Sequence, residues 1–303
     1  MRILQQGIQD ESVIVRVYAA KGLRQTGDAH GTTVLNEILE GNNADGIAAA
    51  LVALYDLEDQ TFSPIVAKLT EHSVPLIRVE AHRLIGIKDD EKAREILIKG
   101  TENRIAKIRR ISYLGLAKFQ KRGLIHKGLQ DIDPAVRITA ASVLARLGEK
   151  RMGNFIKNEL KAAKPQVWNY GIVALAETAD TSAISFAQEL LHDAPWEFRI
   201  AAAEALLTLN NYDGVDVLKQ GLRSDDPFLR IRVVEIFKKY QVPNVFESLK
   251  EATRDEYINV SIGAIEALTR YHGKRSRKLF AELMDEPHSL VKITAATAYL
   301  VNL

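Results

Sequence analysis

The chain of 303 residues has no cysteine. That absence excludes disulfides, thiolate metal sites and cysteine nucleophiles, and leaves the compartment open. Net charge is nearly absent too: 41 Lys plus Arg face 39 Asp plus Glu, a formal balance of +2, so bulk charge does not point to nucleic acid. No stretch approaches the roughly 20 apolar residues that cross a bilayer. The opening MRILQQG is too polar for a signal peptide, and a soluble, cytoplasmic protein is the expectation. There is no phosphate loop, no glycine-rich dinucleotide fingerprint and no alternating strand pattern. The seven histidines, His30, His72, His82, His126, His192, His272 and His288, make no His-x-x-x-His or His-Glu pair. No catalytic residue, metal site or cofactor is expected.

What is present is a repeat. From Arg16, steps of 31 residues reach Ile47, Arg78 and Arg109; one step of 28 reaches Arg137; steps of 31 then reach Trp168, Arg199, Arg230, Ser261 and Lys292. Six of these ten anchors are Arg and one is Lys, and such a period marks a repeat array. Seven residues after the anchor an apolar or aromatic column runs from Leu23 through Leu144 to Tyr299. Twelve before it another runs from Leu4 through Ile125 to Phe280. These columns lie about five helical turns apart, which suits two helices rather than one. Around Arg137, the residues Val136, Ala140, Ala141 and Leu144 share one face of a 3.6-residue period. Small residues three and four after the anchor, such as Ala19 with Ala20, Ala202 with Ala203 and Ala295 with Ala296, allow helices to approach closely. Each repeat is therefore a helical hairpin whose apolar stripe the next hairpin buries.

Proline three before the anchor, at Pro75, Pro134, Pro165 and Pro227, suits a first helical turn, where its missing N–H costs nothing. Asp133 and Asp226 stand where a carboxylate can cap free N–H groups. The expectation is an all-α fold: an α-solenoid of about ten hairpins, a single unit over 1–303. Its second helices should start near 13, 44, 75, 106, 134, 165, 196, 227, 258 and 288.

The segments DIDPAVRITAASVL (Asp131–Leu144) and DAPWEFRIAAAEAL (Asp193–Leu206) resemble HEAT repeats of the short kind also found in phycobilisome lyases. The resemblance extends over essentially the whole chain and is specific for fold rather than activity. It implies a curved stack with second helices on the concave face. It also implies a structural ladder in which an Asp and the Arg six residues later tie neighbours together. Asp10 with Arg16, Asp131 with Arg137 and Asp193 with Arg199 match that spacing, and Arg78, Arg109, Arg230 and Lys292 continue the column. Asp255 matches too, but its anchor is Ser261, so no complete rung is expected there. The deoxyhypusine hydroxylases share this architecture and depend on paired His-Glu motifs, which are missing here. HEAT proteins that excise alkylated bases use aromatic and acidic groups, and the Trp168 and Tyr170 pair matches none of their diagnostic motifs.

Function is sought where repeats depart from their own pattern. Positions two, five and nine after the anchor should face outward. In repeat four these are Ile111, Leu114 and Lys118, with Arg110 beside them; in repeat six they include Tyr170 and Val173; in repeat five Arg146 occupies the ninth position. The interval 104–127 carries Arg104, Lys107, Arg109, Arg110, Lys118, Lys121, Arg122 and Lys127, has no acid, and contains the short step. Trp168 stands in the arginine column, where its indole either stacks between Arg137 and Arg199 or joins Tyr170 as an aromatic contact site. Glu204, Glu235 and Glu266, five after their anchors, are expected to form an acidic stripe, with Lys239 and Arg270 as partners four residues on. Lys274, Arg275, Arg277 and Lys278 are expected on an exposed turn between helices. The chain ends inside the apolar pattern, AYLVNL at 298–303, so the last helix is expected to continue into a further segment or partner, or to fray.

These features lead to a non-enzymatic scaffold. It should bind a protein partner, an extended segment or long subunit, along a groove on the order of 100 Å. The partner residues are Arg110, Ile111, Leu114, Lys118, Lys121, Arg122, Arg146, Trp168, Tyr170 and Val173. The alternatives are nucleic-acid binding through 104–127 and a lyase or enzyme accessory subunit.

Overall fold

The computed structural model describes residues 1–59, 64–162, 167–178 and 182–303, which form twenty α-helices and no strand. The helices come in pairs, and the fold is all-α. Repeat one pairs α1 (Arg2–Gly7) with α2 (Val13–Gln25), two α3 (His30–Glu40) with α4 (Ala44–Asp56), and three α5 (Pro64–Leu69) with α6 (Pro75–Ile87). Repeat four pairs α7 (Glu91–Gly100) with α8 (Ala106–Leu116), five α9 (Arg122–Lys127) with α10 (Pro134–Arg146), and six α11 (Met152–Ala162) with α12 (Trp168–Glu177). Repeat seven pairs α13 (Ser182–Asp193) with α14 (Trp196–Thr208), and eight α15 (Val215–Gly221) with α16 (Pro227–Lys239). Nine pairs α17 (Phe246–Ala252) with α18 (Ile258–Leu268), and ten α19 (Lys274–Leu283) with α20 (Ser289–Val301). Helix α12 begins three residues after the expected start near 165; Pro165 lies outside the described residues.

Local chemistry sets the helix ends. Pro75, Pro134 and Pro227 open their helices, Asp133 accepts from the N–H groups of Ala135 and Val136, and Asp226 accepts from Phe228 N–H. At the other end, α10 closes on Gly148 at φ 97°, where the Glu149 N–H reaches Leu144 O at 3.0 Å and the Gly148 N–H reaches Ala145 O at 2.8 Å. Helix α14 makes the same stop with Asn210 at φ 55°. The short step is absorbed around repeat five. Helix α8 has 11 residues where α6 and α10 have 13, and it ends in a 3₁₀ turn, Ala117–Phe119; the six-residue α9 runs into a second, Gly128–Gln130. Lys274, Arg275, Arg277 and Lys278 do not lie on a turn: they open α19, where Arg275 pairs with Glu247 and stacks on Phe246.

Both apolar columns are core. Leu4, Leu35, Val66, Leu97, Ile125, Ile156, Ala187, Leu218, Leu249 and Phe280 are buried, and so is the column from Leu23 to Leu268; Tyr299 is half-buried. The chain divides into two compact units, one of residues 1–58 with 219–303 and one of 59–218. In the 59–218 unit, α6, α8, α10, α12 and α14 pack successively, each on the next. In the other unit α16 packs on α18, α18 on α20, α2 on α4, and α20 on α2. Leu4, Val15, Ala19 and Leu23 share one buried cluster with Ile293 and Ala296. The last helix does not fray: α20 is helical to Val301 and packs on α1 and α2. Gly22 permits the approach, because a Cβ there would collide with the Thr297 hydroxyl on α20.

The anchor arginines do not bond the carboxylate six residues back. Their Nη1 donates instead to backbone carbonyls of their own turn. Arg16 reaches Asp10 and Glu11 at 2.7 and 3.0 Å, and Arg78 reaches His72 and Ser73 at 2.7 and 2.8 Å. Arg109 reaches Asn103 and Arg104, Arg137 reaches Asp131 and Ile132, and Arg230 reaches Ser224 and Asp225. In three of these five the free edge of the guanidinium then takes an acid from the next repeat. Arg109 binds both Asp131 oxygens at 2.7 Å, Arg230 binds those of Asp255 at 2.8 and 2.9 Å, and Arg137 meets Glu159 at 2.6 Å. Asp255 therefore has a complete rung, contrary to expectation, because its partner belongs to the preceding repeat. Arg199 differs: its Nε donates to Leu191 O, and its guanidinium lies 4.2 Å from the Trp196 ring centroid. The Asp193 side chain is outside the described residues, Ile47 is core, and Lys292 is half-buried on α20.

The rungs set a graded stability test. Asp131→Ala strands a buried guanidinium edge and should cost about 3 kcal/mol, as for one lost partner of a buried pair. Asp10→Ala removes only the exposed contact with Ser12 N–H and should cost less than about 1 kcal/mol. Burial raises the Asp131 carboxyl pKa, but the Arg109 hydrogen bonds and the Asp133 N–H outweigh it, so the pKa lies below its ordinary value. The stabilisation is therefore present above pH 3.8 and fades as pH falls through the lower folded-state value. Urea unfolding of both variants at pH 7 and pH 3 measures it; equal costs at pH 7 would refute the inter-repeat assignment.

Candidate partner-binding surface

The outward positions of the second helices carry the side chains that the core leaves over. In repeat four Leu114 and Lys118 are exposed and Ile111 is half-buried against Gly86 of α6. In repeat six Tyr170 is exposed and Val173 half-buried. Trp168 opens α12, but its side chain is outside the described residues, so its stacking between Arg137 and Arg199 is untested; those two arginines bind Glu159 and Trp196.

One contact joins three repeats. Arg110, one position after the anchor, sends its Nε to Thr139 Oγ1 on α10 at 3.0 Å, and its guanidinium lies 3.8 Å from the centroid of the Tyr170 ring on α12. A cation held flat on an aromatic face contributes about 0.5–2 kcal/mol, more as water is excluded. Tyr170 is still 47% exposed, so surface remains on it for further contact.

The basic interval is not uniform. Arg109 is spent in the core on Asp131, and Lys107 reaches toward Glu80 at 3.8 Å. Lys118 donates to Ile87 O at the end of α6, and Arg122 to Leu147 O at the end of α10. These contacts fix two cations at the C-terminal ends of second helices, where free carbonyls favour positive charge. Arg104, Lys121, Lys127 and Arg146 are exposed. The structure thus keeps Lys118, Lys121, Arg122 and Arg146 on the surface, leaves Arg110 half-buried and removes Arg109 to the core.

The acidic stripe is not formed as expected. Glu204 is buried, and Glu235 pairs at 2.9 Å with Lys238, three residues on rather than four. Lys239 instead lies near the Tyr240 ring, and Arg270 donates to Lys238 O. Glu266 belongs to a buried ion cluster that the sequence did not reveal. Its Oε1 accepts from Lys21 Nζ at 2.7 Å, its Oε2 meets Lys238 Nζ at 2.8 Å, and Lys21 also reaches Asp56 at 2.8 Å. A pocket of about 340 Å³ opens beside it, lined also by Tyr18, Arg270 and Thr297. Lys21, Glu266 and Asp56 all fall five or nine after an anchor, the signal that could have found them.

Burial alone would lower both lysine pKa values, but Glu266 with Asp56 holds Lys21 above its ordinary value, and Glu266 with Glu235 does the same for Lys238. Burial raises Glu266, and the two lysines more than offset this and lower it. Burial, and then Glu266, raises the Tyr18 hydroxyl. Glu266→Gln leaves two buried ammonium groups facing a neutral amide and should cost about 3 kcal/mol near neutrality. Because the Glu266 pKa is depressed, its contribution exists above pH 4.5 and is lost as pH falls through the lower folded value. Denaturant midpoints between pH 7 and pH 2.5 should converge for parent and variant at the acid end; a constant gap would remove the ion-cluster account.

Among the described residues no helix is long and apolar enough to cross a membrane, and no group of three or more His, Asp or Glu could hold a metal ion. The family profile described as HEAT repeats matches residues 153–235 and 215–299. No curated protein matches the chain. Among solved structures, the complex of CpcE and CpcF of phycocyanin lyase from Nostoc sp. PCC7120 aligns with a TM-score of 0.49 at 18% identity, covering 73% of this chain and 93% of that one. Human deoxyhypusine hydroxylase in complex with glycerol aligns at 0.37 and 16% identity over 83% of this chain and 97% of its own. An engineered protein aligns at 0.35 and 16% identity over 97% of each chain. With the family match laid over stacked hairpins whose anchor arginines tie one repeat to the next, residues 153–299 are an array of HEAT repeats, and the hairpins before them follow the same anchor pattern.

Proposed function

We propose that this HEAT-repeat protein is a non-enzymatic scaffold that binds a protein partner through the outward row of α8, α10 and α12, repeats four to six. The observation that carries this reading is the Arg110–Tyr170 stack, in which Arg110 is also tied to Thr139 and Tyr170 remains 47% exposed. Arg and Tyr are the residue types that dominate binding hot spots, because a flat, ordered group loses little entropy on contact. Leu114, 40% exposed, supplies apolar surface, and Lys121, Arg122 and Arg146 supply a cationic rim. The partner this chemistry fits is a protein segment with an apolar or aromatic residue flanked by acids. Among the outward positions of repeat six the acid is Glu177, one oxygen of which accepts from Ser142 at 2.7 Å.

The test compares the parent with Tyr170→Ala and with a variant carrying Arg110→Glu, Lys118→Glu, Lys121→Glu and Arg122→Glu. Each is used to capture binders from the source lysate, with circular dichroism to check folding. A protein retained by the parent should bind Tyr170→Ala about 30-fold more weakly, the effect of losing a hot spot of about 2 kcal/mol. The quadruple variant should not retain it. Equal retention by all three would remove the proposal. Capture of nucleic acid, with binding that falls steeply as salt rises, would replace the protein partner with a phosphate backbone.

A further inference from the structure

The tenth of the chain around repeat nine breaks the anchor rule in an instructive way. In five repeats an arginine donates to the carbonyls six and five residues back, and in repeats four and eight it also grips both oxygens of an acid from the next repeat. In repeat nine the anchor is Ser261, and its hydroxyl donates to Thr253 O at 2.6 Å, eight residues back. The acceptor set of the missing side chain is nonetheless in place. The carbonyls six and five back belong to Asp255 and Glu256, and among the described residues no backbone N–H donates to either. The acid of the next repeat is Glu286, which stands as far beyond Ser261 as Asp255 stands beyond Arg230. Asp255, Glu256, Ser261 and Glu286 all line one cavity of about 610 Å³.

We propose that this cavity is an arginine-accepting site, and that its occupant is an arginine side chain of a partner polypeptide. A planar guanidinium presents two N–H edges, and the cavity is lined by the residues that bear the two carbonyls, Asp255 and Glu256, and by Glu286, the same acceptor set that Arg230 satisfies one repeat earlier. An ammonium group lacks the two edges and matches this set less well. Arg254 lies near Glu286, but its Nε stands 3.8 Å from the carboxylate oxygen, beyond hydrogen-bond length, and its side chain is 59% exposed. The charge of the mouth, where Glu256 and Glu286 are on the surface, suits a basic segment. A polypeptide is favoured over the free amino acid because an exposed ring lies at the site: Tyr257, which lines the cavity, is 45% exposed and can take a neighbouring apolar side chain of the same segment. This site lies outside repeats four to six and does not depend on the scaffold surface proposed above.

The experiment titrates the full chain, by amide NMR, with acetyl-Gly-Arg-Gly-amide and with the same peptide carrying lysine or citrulline, the neutral isostere of arginine. The arginine peptide should shift resonances of 255–261 and 286–291 and bind about tenfold more tightly than the citrulline peptide, since charge-assisted bonds are the stronger kind. The lysine peptide should fall below arginine. Glu286→Gln should weaken the arginine peptide by about tenfold with the melting temperature unchanged, because Glu286 is a surface side chain. Ser261→Arg fills the site from within and should abolish binding; Glu286→Gln keeps the test decisive if that variant does not fold. Equal binding of arginine and citrulline peptides, or indifference to Glu286→Gln, overturns the proposal. Acetyl-arginine-amide binding as tightly as the peptide overturns the polypeptide as occupant.

Discussion

Between the two helices of each hairpin the chain turns sharply, and the carbonyls of that turn have no helical N–H to receive. In five repeats an anchor guanidinium supplies those donors, and in three of them, at Arg109, Arg137 and Arg230, its remaining edge holds an acid of the following repeat. One side chain thus closes the turn of its own hairpin and fixes the spacing to the next. The cation of this link is permanent, since arginine does not titrate in the range where proteins fold. Only the carboxylate end responds to pH. The apolar columns supply most of the burial, but they are slippery in register; the guanidinium and its three or four acceptors are directional.

The hairpins were legible because their signals are local and periodic. Leu144, Val136 and Pro134 each act within a few residues of Arg137, and each stands in the structure where its column requires. The rungs were legible only in half. A search at fixed spacing finds Asp131 beside Arg137, yet the carboxylate serves Arg109, across a first helix of variable length. The offset is 22 residues for Arg109 to Asp131 and for Arg137 to Glu159, but 25 for Arg230 to Asp255. No single period captures it. The candidate surface followed the same division. Tyr170 and Leu114 were readable as outward positions, whereas the reach of Arg110 across α10 depends on helix packing that no repeat frame encodes.

The near-neutral total charge conceals a sorted distribution. Several of the basic residues of 104–127 are used up on carbonyls and acids, and what remains outward is a smaller set around Arg110. The glutamates that read as a stripe are instead divided between core and pairs, because a position five after the anchor faces wherever the neighbouring second helix leaves room. Lys21 and Glu266 meet from positions 245 residues apart; they share the column five after the anchor, but only the packing of α2 and α18 in one unit makes them partners.

The packing of α20 on α2 has a consequence in time as well as in space. A repeat array ordinarily gains structure as it leaves the ribosome, since each hairpin needs only the one before it. Here the apolar face formed by Leu4, Val15, Ala19 and Leu23 must wait for Ile293 and Ala296. During synthesis that face is uncovered for nearly the whole length of the chain, and contacts of such high sequence separation close late and slowly. The hairpin of α1 and α2 is therefore made well before it can be finished, and its apolar face needs shelter in the interval.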